Sequence, residues 1–212
     1  MEAKQVKVKT LALSAAAVAL VEAGFVFSKA PFNPMLSLGA ARLLELGIMV
    51  WIVHVVEGGI ASIGLDRTRW LAGLRRGFIW SAGFGALSGI AFGVLYMAGL
   101  KPLTFVRTGL LKNSPDLFFF FLVGGIVAPA AEEVLFRGIL YGFLRRWGCG
   151  VALALSAAAF ALPHGLGHGF PLVQVTGGFL FAVAYEIEKN LLVPITVHCL
   201  GNLAIFSLSL IG

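Results

Sequence analysis

The chain has 212 residues, 59% of them hydrophobic and only 12% charged, with a formal net charge of +6. Soluble domains are about half apolar and a quarter charged, so water is not the main solvent here, and once bilayer spans are counted this length leaves no room for a second soluble domain. The basic residues lie between apolar runs rather than along one stripe, which argues for a lipid bilayer as partner and against nucleic acid.

Apolar runs broken by charged or Pro/Gly-rich segments predict spans near residues 10–28, 36–64, 77–100, 117–146, 150–165, 171–187 and 191–211. The expected fold is all-α, a multi-pass transmembrane helical bundle of about seven helices, with six to eight allowed by the length. The first run, after Lys4, Lys7 and Lys9, has the look of a signal peptide, but Ser28-Lys29-Ala30 is a poor cleavage site and a retained helix is expected. With the N-terminus in the cytoplasm, Lys4, Lys7, Lys9, Arg67, Arg69, Arg75, Arg76, Arg145, Arg146 and Lys189 fall inside, and only Lys29, Lys101, Arg107 and Lys112 outside. That bias predicts a cell-membrane protein of this orientation. Lys101 to Asp116 reads as an interfacial loop or amphipathic stretch.

An ionisable side chain at the centre of a membrane helix costs about 2.5 to 3.5 kcal/mol on insertion scales, which makes each one a functional candidate. The fourth span holds three, in Ala131-Glu132-Glu133-Val134-Leu135-Phe136-Arg137-Gly138. Glu133 lies roughly 20 Å from the basic end at Arg145 and Arg146, too far to snorkel. Glu133 and Arg137 are four apart on one helical face and can pair, which leaves Glu132, about 100° around the helix, for other work.

Groups that could partner a carboxylate follow in the later spans. His164 ends the run Phe160-Ala161-Leu162-Pro163-His164, and His198 and Asn202 share a face in His198-Cys199-Leu200-Gly201-Asn202. By residue count His164 matches the depth of the glutamates, whereas His198 is shallower, at about 10 Å, which requires the last helix to tilt or to start below the surface. Elsewhere Arg42 with Glu45, and His54 with Glu57, are spaced to satisfy each other within one helix, and Glu22 lacks a local partner. Cys149 and Cys199 show no metal-ligand spacing and are expected to be free thiols.

Together these residues resemble the CPBP (CAAX protease and bacteriocin-processing, or Abi) family of intramembrane proteases. The resemblance rests on Glu132-Glu133-x-x-x-Arg137, Phe160-x-x-x-His164 and His198-x-x-x-Asn202 in order on successive apolar helices, with Pro129, Phe136-Arg137-Gly138 and Pro194 around them. It covers about residues 117–205. It divides one integrated membrane domain into N-terminal helices over 1–116, which carry no assigned motif, and a catalytic helical core over 117–212.

The resemblance implies an endopeptidase acting on a membrane-embedded or lipid-linked peptide: a CAAX-like tail, a leader peptide or a sorting segment. It implies that Glu132 with His164 holds and deprotonates the water, that His198 and Asn202 form the oxyanion site, and that Glu133, Arg137 and Phe160 support them. No obligatory cofactor is expected. Zinc or another divalent metal is the rival, with Glu132, His164 and His198 as its ligands. His168, among glycines, reads as a loop residue. The alternatives from other classes are a non-catalytic peptide-binding or bacteriocin-immunity protein, and an ion-coupled transporter, for which the sequence lacks an internal repeat.

Overall fold

A computed structural model describes residues 5–27, 33–106, 116–165 and 171–211. The Ser28-Lys29-Ala30 site, His168 and most of the Lys101 to Asp116 segment lie outside the described residues. Within them the chain forms seven helices: α1 (Val8–Phe27), α2 (Pro34–Glu57), α3 (Trp70–Met97), α4 (Leu117–Trp147), α5 (Cys149–Gly165), α6 (Leu172–Glu188) and α7 (Leu192–Ile211). No strand occurs among the described residues. By length and composition α1, α2, α3, α4 and α7 are each able to cross a membrane, while α5 and α6, of 17 residues each, are shorter. The outward faces carry side chains such as Leu20, Phe27, Trp51, Leu71, Leu87 and Met97 fully in the open, a surface suited to acyl chains rather than water.

Two boundaries differ from the sequence expectation. The second span stops at Glu57 rather than residue 64, because Gly58 takes the left-handed conformation (φ 81°) that caps α2 and turns the chain into a short 3-10 segment, Ile60–Ile63. The third begins seven residues early, at Trp70, since the exposed Arg75 and Arg76 continue the helix beyond its apolar stretch.

Helix α4 is the centre of the bundle. It packs against α2, α5, α6 and α7, while α1 lies on α2 and α3 lies on α7. Glu133, Arg137, Ile139 and Tyr141 on α4 are all fully buried. Close approach elsewhere depends on small residues: Gly73 and Gly77 of α3 leave room for Asn190 and Thr196 beside α7, and Gly39 of α2 receives Val123 of α4.

The basic residues gather at one end. Arg145 and Lys189 hold Glu186 at 2.6 and 2.5 Å, Arg76 and Trp80 hold Glu188 at 3.6 and 2.9 Å, and the Arg146 guanidinium donates to the Val6 carbonyl at 2.6 Å. The Lys7 amide donates to Glu57 at 2.9 Å, and the Thr10 hydroxyl donates to the same carboxylate. Glu57 therefore has partners on α1 and the segment before it, while His54 is exposed, so the expected His54–Glu57 pair is not what satisfies this acid. Asn33 and Asp116 are hydrogen-bonded at the starts of α2 and α4, at the opposite end.

Candidate active site

The backbone of α4 is irregular on both sides of the glutamates. Val123–Val127 and Val134–Tyr141 wind as π-helix, with Ala128–Glu133 an α-helical turn and a half between them. Such wide turns recur at functional sites because they rotate the following side chains. Here the cause can be followed atom by atom. The Ala128 amide donates five residues back, to the Val123 carbonyl. In the same register the Gly124 carbonyl would face residue 129, which is Pro129 and has no N–H. Asn202 supplies the missing donor, its Nδ2 lying 2.9 Å from the Gly124 oxygen.

The two adjacent glutamates have different surroundings. Glu133 is fully buried and its Oε1 receives both the Arg137 guanidinium, at 3.0 Å, and Nδ1 of His198, at 2.8 Å. Arg137 is also fully buried; it donates to the Gly178 carbonyl of α6 at 2.8 Å, with its Cζ 4.6 Å from the Phe160 ring centroid and 5.3 Å from that of Phe181. Carboxylate, carbonyl and aromatic faces thus replace the water this cation has lost. Glu132 instead keeps 22% of its side chain exposed and lies 3.8 Å from Nε2 of His198. That distance allows a charge interaction but is too long for a hydrogen bond.

His198 is consequently held from several sides. Its ring stacks on Phe181 with centroids 4.5 Å apart, and Phe160 meets it edge-on at 5.5 Å. With Nδ1 committed to the Glu133 carboxylate, the tautomer and ring direction are set and Nε2 is turned to the Glu132 side. The depth mismatch between His198 and the glutamates disappears because α7 starts inside the bundle: Leu191 and Val193 are fully buried, and the Leu191 amide bonds to the Gly64 carbonyl.

His164 stands further out. It is exposed near the end of α5, its Nδ1 bonds to the Phe160 carbonyl at 2.9 Å, and it reaches the cluster through Phe160, whose ring centroid is 5.2 Å from its own. Among the described residues no three of His, Cys, Asp and Glu converge in a metal-ligand set. Glu132, His164 and His198 are not gathered into such a set, His164 being turned towards its own helix.

The direct Glu133–His198 bond was not anticipated in the sequence. The residues are 65 positions apart, and only the packing of α7 on α4 joins them. Helical spacing does foresee Glu133–Arg137, and also Arg42–Glu45, found at 2.5 Å. The otherwise unpaired Glu22 completes the latter group, 2.7 Å from Arg42. Both cysteines are free.

Fold and site together define a multi-helix membrane protein with a buried carboxylate–arginine–histidine cluster. Residues 114–204 match the family model described as type II CAAX prenyl endopeptidase Rce1-like, and over this segment the chain is similar to that CAAX protease family. It is 35% identical over 102 residues to the membrane-embedded CAAX protease MroQ of Staphylococcus aureus, a stretch covering 44% of this chain and 39% of that protein. It is also 35% identical over 83 residues to the Bacillus subtilis protein named "Putative membrane peptidase YdiL", covering 38% of this chain and 33% of that one. The chain thus spans well under half the length of these curated relatives. No solved structure matches it.

Proposed function

We propose that this chain is an intramembrane endopeptidase that hydrolyses a membrane-embedded or lipid-linked peptide, with Glu132 as the base that takes a proton from the attacking water. The observation that carries this reading is the unequal burial of two neighbouring carboxylates. Glu133 is sealed and committed to Arg137 and His198, whereas Glu132 is open to a reactant and faces His198 Nε2.

The chemistry follows from these roles. Glu132 accepts the proton as the water oxygen adds to the scissile carbonyl, and returns it to the departing amine. His164, whose Nδ1 is engaged with Phe160, has Nε2 free to hold the same water. Negative charge growing on the carbonyl oxygen is met by His198 Nε2 when that nitrogen carries a proton, with Glu133 on Nδ1 stabilising the imidazolium, and by the second amide hydrogen of Asn202. None of these steps requires an obligatory metal. The substrate falls in one of three classes: a CAAX-like tail, a leader peptide or a sorting segment. Residues 117–212 form the catalytic core, in the cell membrane, with the basic end and the N-terminus in the cytoplasm.

Incubation of the purified protein and its Glu132→Gln variant with a library of membrane peptides, read by mass spectrometry, tests the reading. Cleavage by the parent and none by the variant is the expected result. If the variant cleaves as well as the parent, the protease reading fails; if the parent binds peptides without cutting any, a non-catalytic peptide-binding protein takes its place.

A further inference from the structure

Glu188, the last residue of α6, gathers the start of α3 around it. Its carboxylate receives the Trp80 indole N–H at 2.9 Å and lies 3.6 Å from the Arg76 guanidinium, while its backbone carbonyl receives Arg69 at 3.2 Å. Arg69 and Arg76 are exposed residues of the basic end. Trp80 is different: it is half-buried, it comes from α3, outside the segment that matches the family model, and the mechanism above does not use it. A hydrogen bond from an indole to an ionised carboxylate is charge-assisted, about twice as strong as one between neutral groups.

The same side chain reaches the candidate site. Trp80 packs against the cluster formed by Phe160, Phe181 and Val197. The register of α3 on α7 brings it there: Gly73 meets Asn190 and Gly77 meets Thr196, so the next turn of α3 falls at the level of Val197 and His198. Two members of that cluster are the rings that hold the imidazole, Phe181 stacked on it at 4.5 Å and Phe160 edge-on at 5.5 Å, and the third precedes it in the chain. Phe181 and Glu188 are two turns apart on one face of α6. Trp80 therefore spans that face, tied by its nitrogen to the helix end and packed on the aromatic wall further in.

We propose that Trp80 is a positioning residue for His198: held by Glu188, its indole fixes the Phe160–Phe181 wall and with it the direction in which the imidazole presents Nε2. This rests on the endopeptidase reading above, in which that nitrogen meets the developing oxyanion. The bond from Nδ1 to Glu133 fixes one point of the ring but not its tilt, which the aromatic faces set. Tilt matters because a donor stabilises charge only where the charge develops.

The test compares kcat and KM of the protein in lipid nanodiscs for five variants. Trp80→Phe keeps a ring and removes the N–H, Glu188→Ala removes the acceptor, Glu188→Gln keeps an acceptor oxygen without the charge, and Arg76→Gln removes only the neighbouring cation; the fifth is the double variant Trp80→Phe/Glu188→Ala. Trp80→Phe and Glu188→Ala are each expected to lower kcat about tenfold with KM nearly unchanged, short of the roughly hundredfold that an ångström of misplacement can cost. The double variant falls no further than either single one, since both break the same bond. Glu188→Gln recovers most of what Glu188→Ala loses, and Arg76→Gln loses nothing. The proposal is overturned if folded Trp80→Phe or Glu188→Ala keeps its kcat, if the loss appears in KM instead, if the two losses multiply, or if Arg76→Gln reproduces them. Should Trp80→Phe fail to fold, Glu188→Ala and its recovery by Glu188→Gln decide the matter; if neither Trp80→Phe nor Glu188→Ala folds, the bond is a structural clamp only and the proposal is overturned. Glu132→Gln in the same assay separates the two readings: if it stays active the endopeptidase mechanism falls, and if it is inactive while Trp80→Phe keeps its kcat, only the present inference does.

Discussion

Nδ1 of His198 lies 2.8 Å from Oε1 of Glu133, the same oxygen that receives Arg137, so one buried carboxylate joins α7 to α4 and sets which face of the imidazole is presented to Glu132. This arrangement gives two adjacent glutamates different surroundings, Glu133 sealed and Glu132 partly exposed, and substitution should tell apart the roles proposed for them.

Glu132→Gln is expected to leave the folded bundle intact and lower cleavage by at least about a hundredfold, the lower range for loss of a general base. Glu133→Gln is expected to reduce both activity and stability, because it leaves the Arg137 charge buried without its partner, a cost of about 3 to 5 kcal/mol. Thermal unfolding and cleavage rates measured on the same detergent-purified samples distinguish the cases. Equal loss of stability in the two variants would contradict the assignment.

The Gly124 carbonyl offers a test of backbone logic. Asn202→Ala leaves it without a donor and is expected to cost about 1 to 3 kcal/mol. Adding Pro129→Ala restores a backbone N–H in the shifted register, so the double variant should recover much of that stability. Activity should not recover, because the proposed oxyanion donor is still missing. A double-mutant cycle with no coupling would sink the explanation.

Close packing of α3 on α7 predicts a contrast between glycines. A Cβ at Gly77 would come within 2.5 Å of the Thr196 Cβ, whereas one at Gly89 has nothing within 4 Å. Gly77→Leu should therefore destabilise by at least about 1 to 3 kcal/mol, the usual cost of overpacking, and Gly89→Leu should leave the unfolding midpoint nearly unchanged.

Metal dependence can be read directly. Glu132, His164 and His198 do not converge as a ligand set among the described residues, so cleavage is expected to persist in excess chelator. Activity lost with chelator and regained on adding zinc would replace the metal-free mechanism. His164→Ala should lower kcat about 10- to 100-fold if its free nitrogen helps to hold the water.

How much of this could be read along the chain depends on the range of each interaction. Seven helices followed from apolar runs, since bilayer length and backbone hydrogen bonding leave a hydrophobic segment few other choices. Pairs within one helix, Glu133–Arg137 and Arg42–Glu45, followed from the repeat of 3.6 residues per turn. The same spacing misled at His54 and Glu57, where the acid turned to α1 and the segment before it, because a partner on a packed neighbour can outbid one on the same helix.

Sequence alone determined that this is a membrane helix bundle, and which few polar side chains had to justify their cost within it. Tertiary structure decided their surroundings. Whether Glu132 or Glu133 is accessible, which way His198 points, and that Asn202 stands in for the N–H missing at Pro129 all depend on how α7 seats against α4. Those contacts join residues more than sixty positions apart, and no periodicity encodes the angle and depth at which two helices meet.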